Sequence, residues 1–144
     1  MKEKELTSHW LKTDTQGVED INVQDLQVLQ EFILAQWRER SQERQLNIPQ
    51  DTSSACKFVS LFIKIQFGGK IVGNSNHQFN DINGQLVDLC RDNQDVALMK
   101  DPWLLDSKFI GNAEHLASMK SCLGRVLQWQ TRYCSRGLKN ENSI

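Results

Sequence analysis

Cys56, His77 and Asp88 are residue types that together perform one kind of chemistry. A thiolate is a strong nucleophile, an imidazole can take and return a proton, and a carboxylate can orient the imidazole. Cys56 stands near the front of an apolar run, "SSACKFVSLFIKIQFGGK", residues 53–70. A helix capped by Ser53 or Ser54 puts Cys56 in its first turn. Unpaired amides and the positive end of the helix dipole stabilise a thiolate there. His77 and Asp88 flank Asn83-Gly84 in "NHQFNDINGQLVDLC". Asn-Gly between two alternating runs signals a β-hairpin. A two-residue turn pairs Phe79 with Asp88 and His77 with Cys90. A four-residue loop, 81–84, pairs His77 with Asp88 directly. Both registers put His77 and Asp88 on one face, because side chains alternate along a strand; a three-residue loop separates them.

The implied chemistry is acyl transfer at an amide or thioester: a thiol-dependent hydrolase, peptidase-like or amidase-like. Cys56 is the expected nucleophile, His77 the base and later the acid, and Asp88 the orienting group. The substrate is left open as a peptide, an amide or a small molecule. The alternative is a non-catalytic binding or interaction module that keeps the same fold. An accessible Cys56 within reach of His77 favours the enzyme, and a fully buried one favours the module.

Other residues compete for these roles. Cys90 falls on the same hairpin face as His77. Asn80 falls on the opposite face, which makes it a weaker third member than Asp88. Gln50 precedes Cys56 and could supply an oxyanion amide, although a solvated loop glutamine is its more ordinary role. Cys122 fits the apolar face of the last helix, and Cys134 sits near that helix's end. His9 and His115 fit no constellation. A zinc site from Cys56, His77 and Cys90 lacks a fourth ligand at recognisable spacing. No metal or other cofactor is called for.

The 144 residues suit one domain, and 39% hydrophobic with 24% charged residues suits a globular protein. Lys plus Arg number 17 against 18 Asp plus Glu, and like charges form no long block. Nucleic acid and anionic membrane are therefore poor partners. The charged N-terminus lacks the apolar core of a secretory signal, and no apolar run reaches the ~20 residues that span a bilayer. With four cysteines and no C-x-x-C pair, the expectation is a cytoplasmic protein with free thiols. Oligomeric state is not legible.

The elements that must position these residues follow from periodicity. Residues 1–20 have little, and read as a loose arm or a short first helix. Asn22 caps a helix to about Arg44, with Leu26, Leu29, Phe32, Ile33 and Trp37 in one stripe. Pro49 marks a connection. From Ala55 to Phe67 apolar residues surround most of the axis, as in a buried central helix, although the β-branched content also suits a strand. Gly68 supplies the stop. "KIVG" reads as a strand, the hairpin follows, and another short strand near "VALM" fits the pattern. After a long connection starting at Pro102, Asn112 caps a last helix to about Arg132. The order is that of an α+β protein: a buried helix on a small antiparallel sheet, with helices at both ends.

"CKFVSLFIKIQFGGKIV", "NHQFN" and "DINGQLVDL" together resemble the YunG-like family of small bacterial proteins, over about residues 33–95. Phe67-Gly68-Gly69, His77…Asn80 and Asp88-Leu89, in that order, carry the resemblance. It implies a papain-like or transglutaminase-like α+β core; the chain reads as a single domain at residues 21–136, with 1–20 as arm or short helix and 137–144 as a flexible tail. It also implies a site at Cys56, His77 and Asp88. The chain departs from the family pattern at Ala55, where a polar residue, often Gln, is usual. It departs again at Phe79, where Trp is usual, and at Cys90, where Thr is common. Ala55 leaves the oxyanion donor unassigned.

Overall fold

The computed structural model describes residues 1–52, 54–90 and 105–142. Its centre is α3 (Cys56–Phe67), where Val59, Leu61, Phe62, Ile63 and Phe67 are all buried. A helix apolar on nearly every side must be covered on every side. On one flank lies α4 (Ala113–Asn142), and on another the strand β3 (Gln78–Ile82). Trp129 of α4 closes the first contact, with its ring centroid 5.9 Å from Phe58 and 6.3 Å from Phe62. The expected helix therefore forms, and its β-branched residues do not make it a strand.

Gly68 ends α3 at φ 83°, ψ −155°, a conformation open in practice to glycine alone. It does not precede the next strand but begins it: β2 spans Gly68–Gly73. The reason lies in the first twenty residues. They form α1 (Ser8–Lys12) and then β1 (Thr15–Gln16), which pairs antiparallel with Gly69 and Gly68. A Cβ on Gly68 would overlap the Thr15 carbonyl oxygen. The N-terminal segment is thus packed against the core, with Leu6 and Leu11 completely buried.

Lys64 fastens that segment. Its ammonium is buried beneath β1 and donates to the carbonyl oxygens of Thr13 (2.8 Å) and Gly69 (2.6 Å) and to Thr15 Oγ1 (2.9 Å). Its Nζ also lies 4.5 Å from the Trp10 ring centroid. A buried ammonium needs this many acceptors.

α2 (Leu26–Glu43) follows a single 3₁₀ turn, whose Gln24 N–H donates to Asn22 Oδ1 at 3.0 Å. Leu29, Ile33 and Trp37, four residues apart, are its buried stripe. β3 and β4 (Gln85–Val87) form the hairpin, and the antiparallel sheet has the order β1-β2-β3-β4. Ile82 pairs with Gln85 across Asn83 and Gly84, whose φ values of 54° and 82° are those of a tight two-residue turn. The shorter of the two expected loops is therefore the one formed.

At α4, Asn112 Oδ1 accepts from the His115 N–H at 2.8 Å, the expected cap. The helix does not stop near Arg132; it continues to Asn142, through much of the stretch read as a flexible tail. The strand expected near "VALM" and the start of the connection at Pro102 lie outside the described residues. Among the described residues, no helix is long and apolar enough to cross a membrane.

Candidate active site

Two local structures bring the candidate residues together. The first is the start of α3. Its N-cap is Ala55, and no side chain among the described residues caps it; Ser53 lies outside the described residues. Cys56 is thus the first helical residue, at the dipole's positive end. The preceding turn is held by the Ala55 N–H donating to the Thr52 carbonyl at 2.9 Å. Thr52 Oγ1 in turn donates to the Leu89 carbonyl at 3.1 Å. This ties the helix start to the segment after β4, which carries Asp88.

The second is the turn from β2 into β3, residues 73–78. Asn74 Oδ1 accepts from the N–H groups of Asn76 (2.8 Å) and His77 (3.2 Å). The Asn74 N–H donates to the His77 carbonyl at 2.9 Å. That carbonyl sits where a Cβ on Gly73 would fall, and Gly73 has φ 128°. His77 is held by this turn and by Phe79, whose ring stacks on the imidazole at 5.7 Å between centroids and 26° between planes.

His77 Nδ1 lies 3.3 Å from Cys56 Sγ, and His77 Nε2 lies 2.7 Å from Asp88 Oδ2. The other Asp88 oxygen accepts from the Cys90 N–H at 2.9 Å. The three sequence candidates thus form one continuous relay. His77 and Asp88 are 9% and 7% exposed, so the carboxylate acts on the ring with little screening by water. Cys56 is only partly buried.

The relay shifts both titrating partners. The Asp88 carboxylate, then Cys56, raise the His77 pKa to about 10, against the pull of burial. Cys56 is pushed down to about 5, first by a hydrogen bond from the Cys90 side chain and then by His77; burial opposes them. The Gln78 backbone N–H adds a smaller contribution in the same direction. Both shifts favour a thiolate–imidazolium pair at neutral pH.

The remaining candidates separate. Cys90 does not compete for His77; it is buried against Cys56 and supports it. Asn80 turns the other way and donates from Nδ2 to the Ser60 carbonyl at 2.9 Å. Gln50 lines a different cleft, with Gln27, Gln30 and Glu31. Cys122 is buried and its pKa raised by that burial, while Cys134 is exposed. His115 is buried, accepts from the Gly111 N–H at Nδ1 (2.8 Å), and is pushed down to about 4 by desolvation. Its neutral ring is a packing element. Among the described residues no cluster of His, Cys, Asp or Glu has the arrangement of a metal site.

Cys56 opens on a cleft of about 470 Å³ between α2, α3, α4 and the 73–78 turn. Two lining residues were not singled out from sequence. Gln78 is 4% exposed and its Oε1 is buried without a hydrogen-bond partner among the described residues. Arg40, near the end of α2, lies over Trp37 and Phe58. Gln78 carried no signal beyond its place on the hairpin strand next to His77. Arg40 carried none, because its place beside Cys56 depends on how α2 packs across α3. In comparison with known proteins, no family model, no curated protein and no solved structure matches this chain.

Proposed function

We propose that the chain is a thiol-dependent acyl-transfer enzyme, a hydrolase of amides or thioesters. One observation carries the reading: a partly exposed thiol, an imidazole and a buried carboxylate joined by contacts of 3.3 and 2.7 Å at the floor of a cleft. The thiolate of Cys56 attacks the substrate carbonyl carbon. A C–S bond forms and the carbonyl electron pair moves to oxygen. As the tetrahedral species collapses, the bond to the leaving nitrogen or sulfur breaks, and His77 Nδ1–H delivers its proton to that atom. His77, now neutral, takes a proton from water, whose oxygen attacks the acyl carbon. Collapse expels the Cys56 thiolate, releases the acid and restores the imidazolium. Asp88 keeps the proton of Nε2 in place throughout, so that Nδ1 faces the sulfur.

The developing oxyanion needs donors. We assign them to first-turn amides of α3 and to the side-chain amide of Gln78. Gln78 then replaces the glutamine that the YunG-like pattern puts before the cysteine. That family resemblance, with its papain-like core, belongs to the same proposal, as does a reducing, cytoplasmic location for four free thiols. The accessibility of Cys56 supports an enzyme over a binding module.

The test is acylation by p-nitrophenyl acetate. Intact mass and peptide mapping should show one acetyl group, on Cys56, released more slowly than nitrophenolate appears. Cys56→Ala and His77→Ala should abolish it. Acetylation at another cysteine, or none in the wild type, overturns the proposal.

A further inference from the structure

The thiol–imidazole–carboxylate relay fixes a reaction, but the walls of the cleft fix what can enter it. Arg40 is the distinctive wall. Its guanidinium carbon sits 4.7 Å from the Trp37 ring centroid and 4.7 Å from that of Phe58, and these rings are themselves 5.2 Å apart. Stacked this way, the guanidinium is held in place while its N–H edge stays available. The neighbouring acids are committed elsewhere. Glu43 accepts from Arg125 at 2.6 Å, and Glu39 pairs with Arg132 at 3.0 Å. No carboxylate among the described residues forms an ion pair with Arg40.

The charged side chains that line the cleft beyond the Cys56–His77 pair are both cationic. Lys57, next to Cys56 in sequence, lines the same cleft, with Nζ donating to Ser118 Oγ at 2.6 Å. The described lining contains no Asp or Glu. Within the site the thiolate and imidazolium offset each other, and Asp88 lies behind the imidazole. Desolvation, then Arg44 and Arg125, make the Arg40 charge less favourable than in water, and Cys122 and Glu43 offset this only in part. An anion docking there would relieve that cost.

We propose that Arg40 is a specificity-determining residue that anchors a carboxylate on the acyl substrate, with Lys57 supporting the charge. This rests on the acyl-transfer reading and deepens it, by naming the substrate class as amides or thioesters that carry a free carboxylate. A planar guanidinium fork matches a planar carboxylate in two parallel hydrogen bonds. The cleft volume of about 470 Å³ fits a small acid or a short peptide end.

Alkylation of Cys56 tests both layers separately. The probes are iodoacetamide, iodoacetate, N-iodoacetylglycine and N-iodoacetyl-4-aminobutyrate, which hold the carboxylate at increasing reach from the reacting carbon. In each case the Cys56 sulfur displaces iodide. At least one carboxylate probe should react about tenfold faster than iodoacetamide, the gain expected of a charge-assisted hydrogen bond. Arg40→Gln should bring that rate ratio close to one, and Arg40→Lys should keep part of it. Using the ratio removes any general effect of the substitution on folding or on the thiolate. A ratio near one in the wild type, or one unchanged by Arg40→Gln, overturns the anchor while leaving the nucleophile intact. A Cys56 inert to iodoacetamide instead sinks the acyl-transfer reading. A glutarate titration followed at the Arg40 Nε resonance then still decides the anchor: a saturable shift upholds it and no shift rejects it.

Discussion

His77 Nε2 stands 2.7 Å from Asp88 Oδ2, although the two residues do not pair directly in the hairpin. Extending the observed register puts Asp88 opposite Phe79, so His77 meets it diagonally, on the same face. The stacked Phe79 ring sits between them in sequence and keeps the imidazole aimed at the carboxylate. Asp88 therefore governs the charge of His77. In a Cys56→Ala background, which removes the thiolate's contribution, the His77 pKa should remain above about 6.5 and should fall with Asp88→Asn. NMR titration of the ring protons measures it. Coincident curves for the two proteins would remove Asp88 from the relay.

The thiol should show the complementary behaviour. Cys56 is held near a pKa of about 5, so it should alkylate at pH 6, ahead of Cys122, whose pKa is raised by burial, and of Cys134. The rate with iodoacetamide should level off well below the usual thiol range of about 8.5. If Cys90 or Cys134 is labelled first at pH 6, Cys56 is not the nucleophile.

These shifts also set a window for stability. The raised pKa of His77 makes its contribution complete below about 6.5 and lost as pH rises through about 10. The lowered pKa of Cys56 acts in reverse: its contribution is present above about 8.5 and fades as pH falls through about 5. The ion pair therefore exists only between those limits. Urea midpoints of wild type and Cys56→Ala should differ in their pH dependence across this window, and parallel profiles would refute the pairing.

How much of this could be read beforehand varies with the range of the interactions. The stripe Leu29, Ile33, Trp37 and the all-round apolar run of α3 are local patterns, and both helices formed. Asn83-Gly84 sets its own turn through positive φ, so the shared face of His77 and Asp88 followed from two residues, while the choice between two loop lengths was left to the structure. The N-cap of α3 was misjudged because Ala55 needs no side-chain partner when Thr52 already closes the turn through its carbonyl. The N-terminal segment was illegible for another reason. Its order depends on Lys64, fifty residues away, and a lysine inside an apolar helix gives no hint of which carbonyls it will reach. Arg40 and Gln78 reach the wall of the cleft only through such long-range packing.

Asn80 and Gln78 separate structure from chemistry on one strand. Asn80 holds β3 to α3 through the Ser60 carbonyl. Asn80→Ala should lower stability by about 1 kcal/mol while the His77 titration keeps its midpoint. Gln78→Ala should instead slow acylation by p-nitrophenyl acetate about a hundredfold, the cost of losing one oxyanion donor. An unchanged acylation rate would return the oxyanion role to backbone amides alone.

Lys64 should be the residue on which the N-terminal segment depends. Its ammonium reaches across from α3 to Thr13, Thr15 and Gly69, so it joins α3, β1 and β2 at one point. Lys64→Met keeps the volume and removes three donors. The carbonyls of Thr13 and Gly69 lose their ammonium donor beneath β1, and an unmade buried hydrogen bond costs about 1–3 kcal/mol. The expected loss is about 2 kcal/mol or more in urea. It should be accompanied by loss of amide protection in residues 6–17 ahead of global unfolding, since those residues are local and at the edge of the sheet. The relay is built from the start of α3, the turn before β3 and the segment after β4, so alkylation of Cys56 should persist. Uniform loss of protection throughout the chain would show instead that Lys64 supports the whole core, and full retention would show that β1 is held by Leu6 and Leu11 alone.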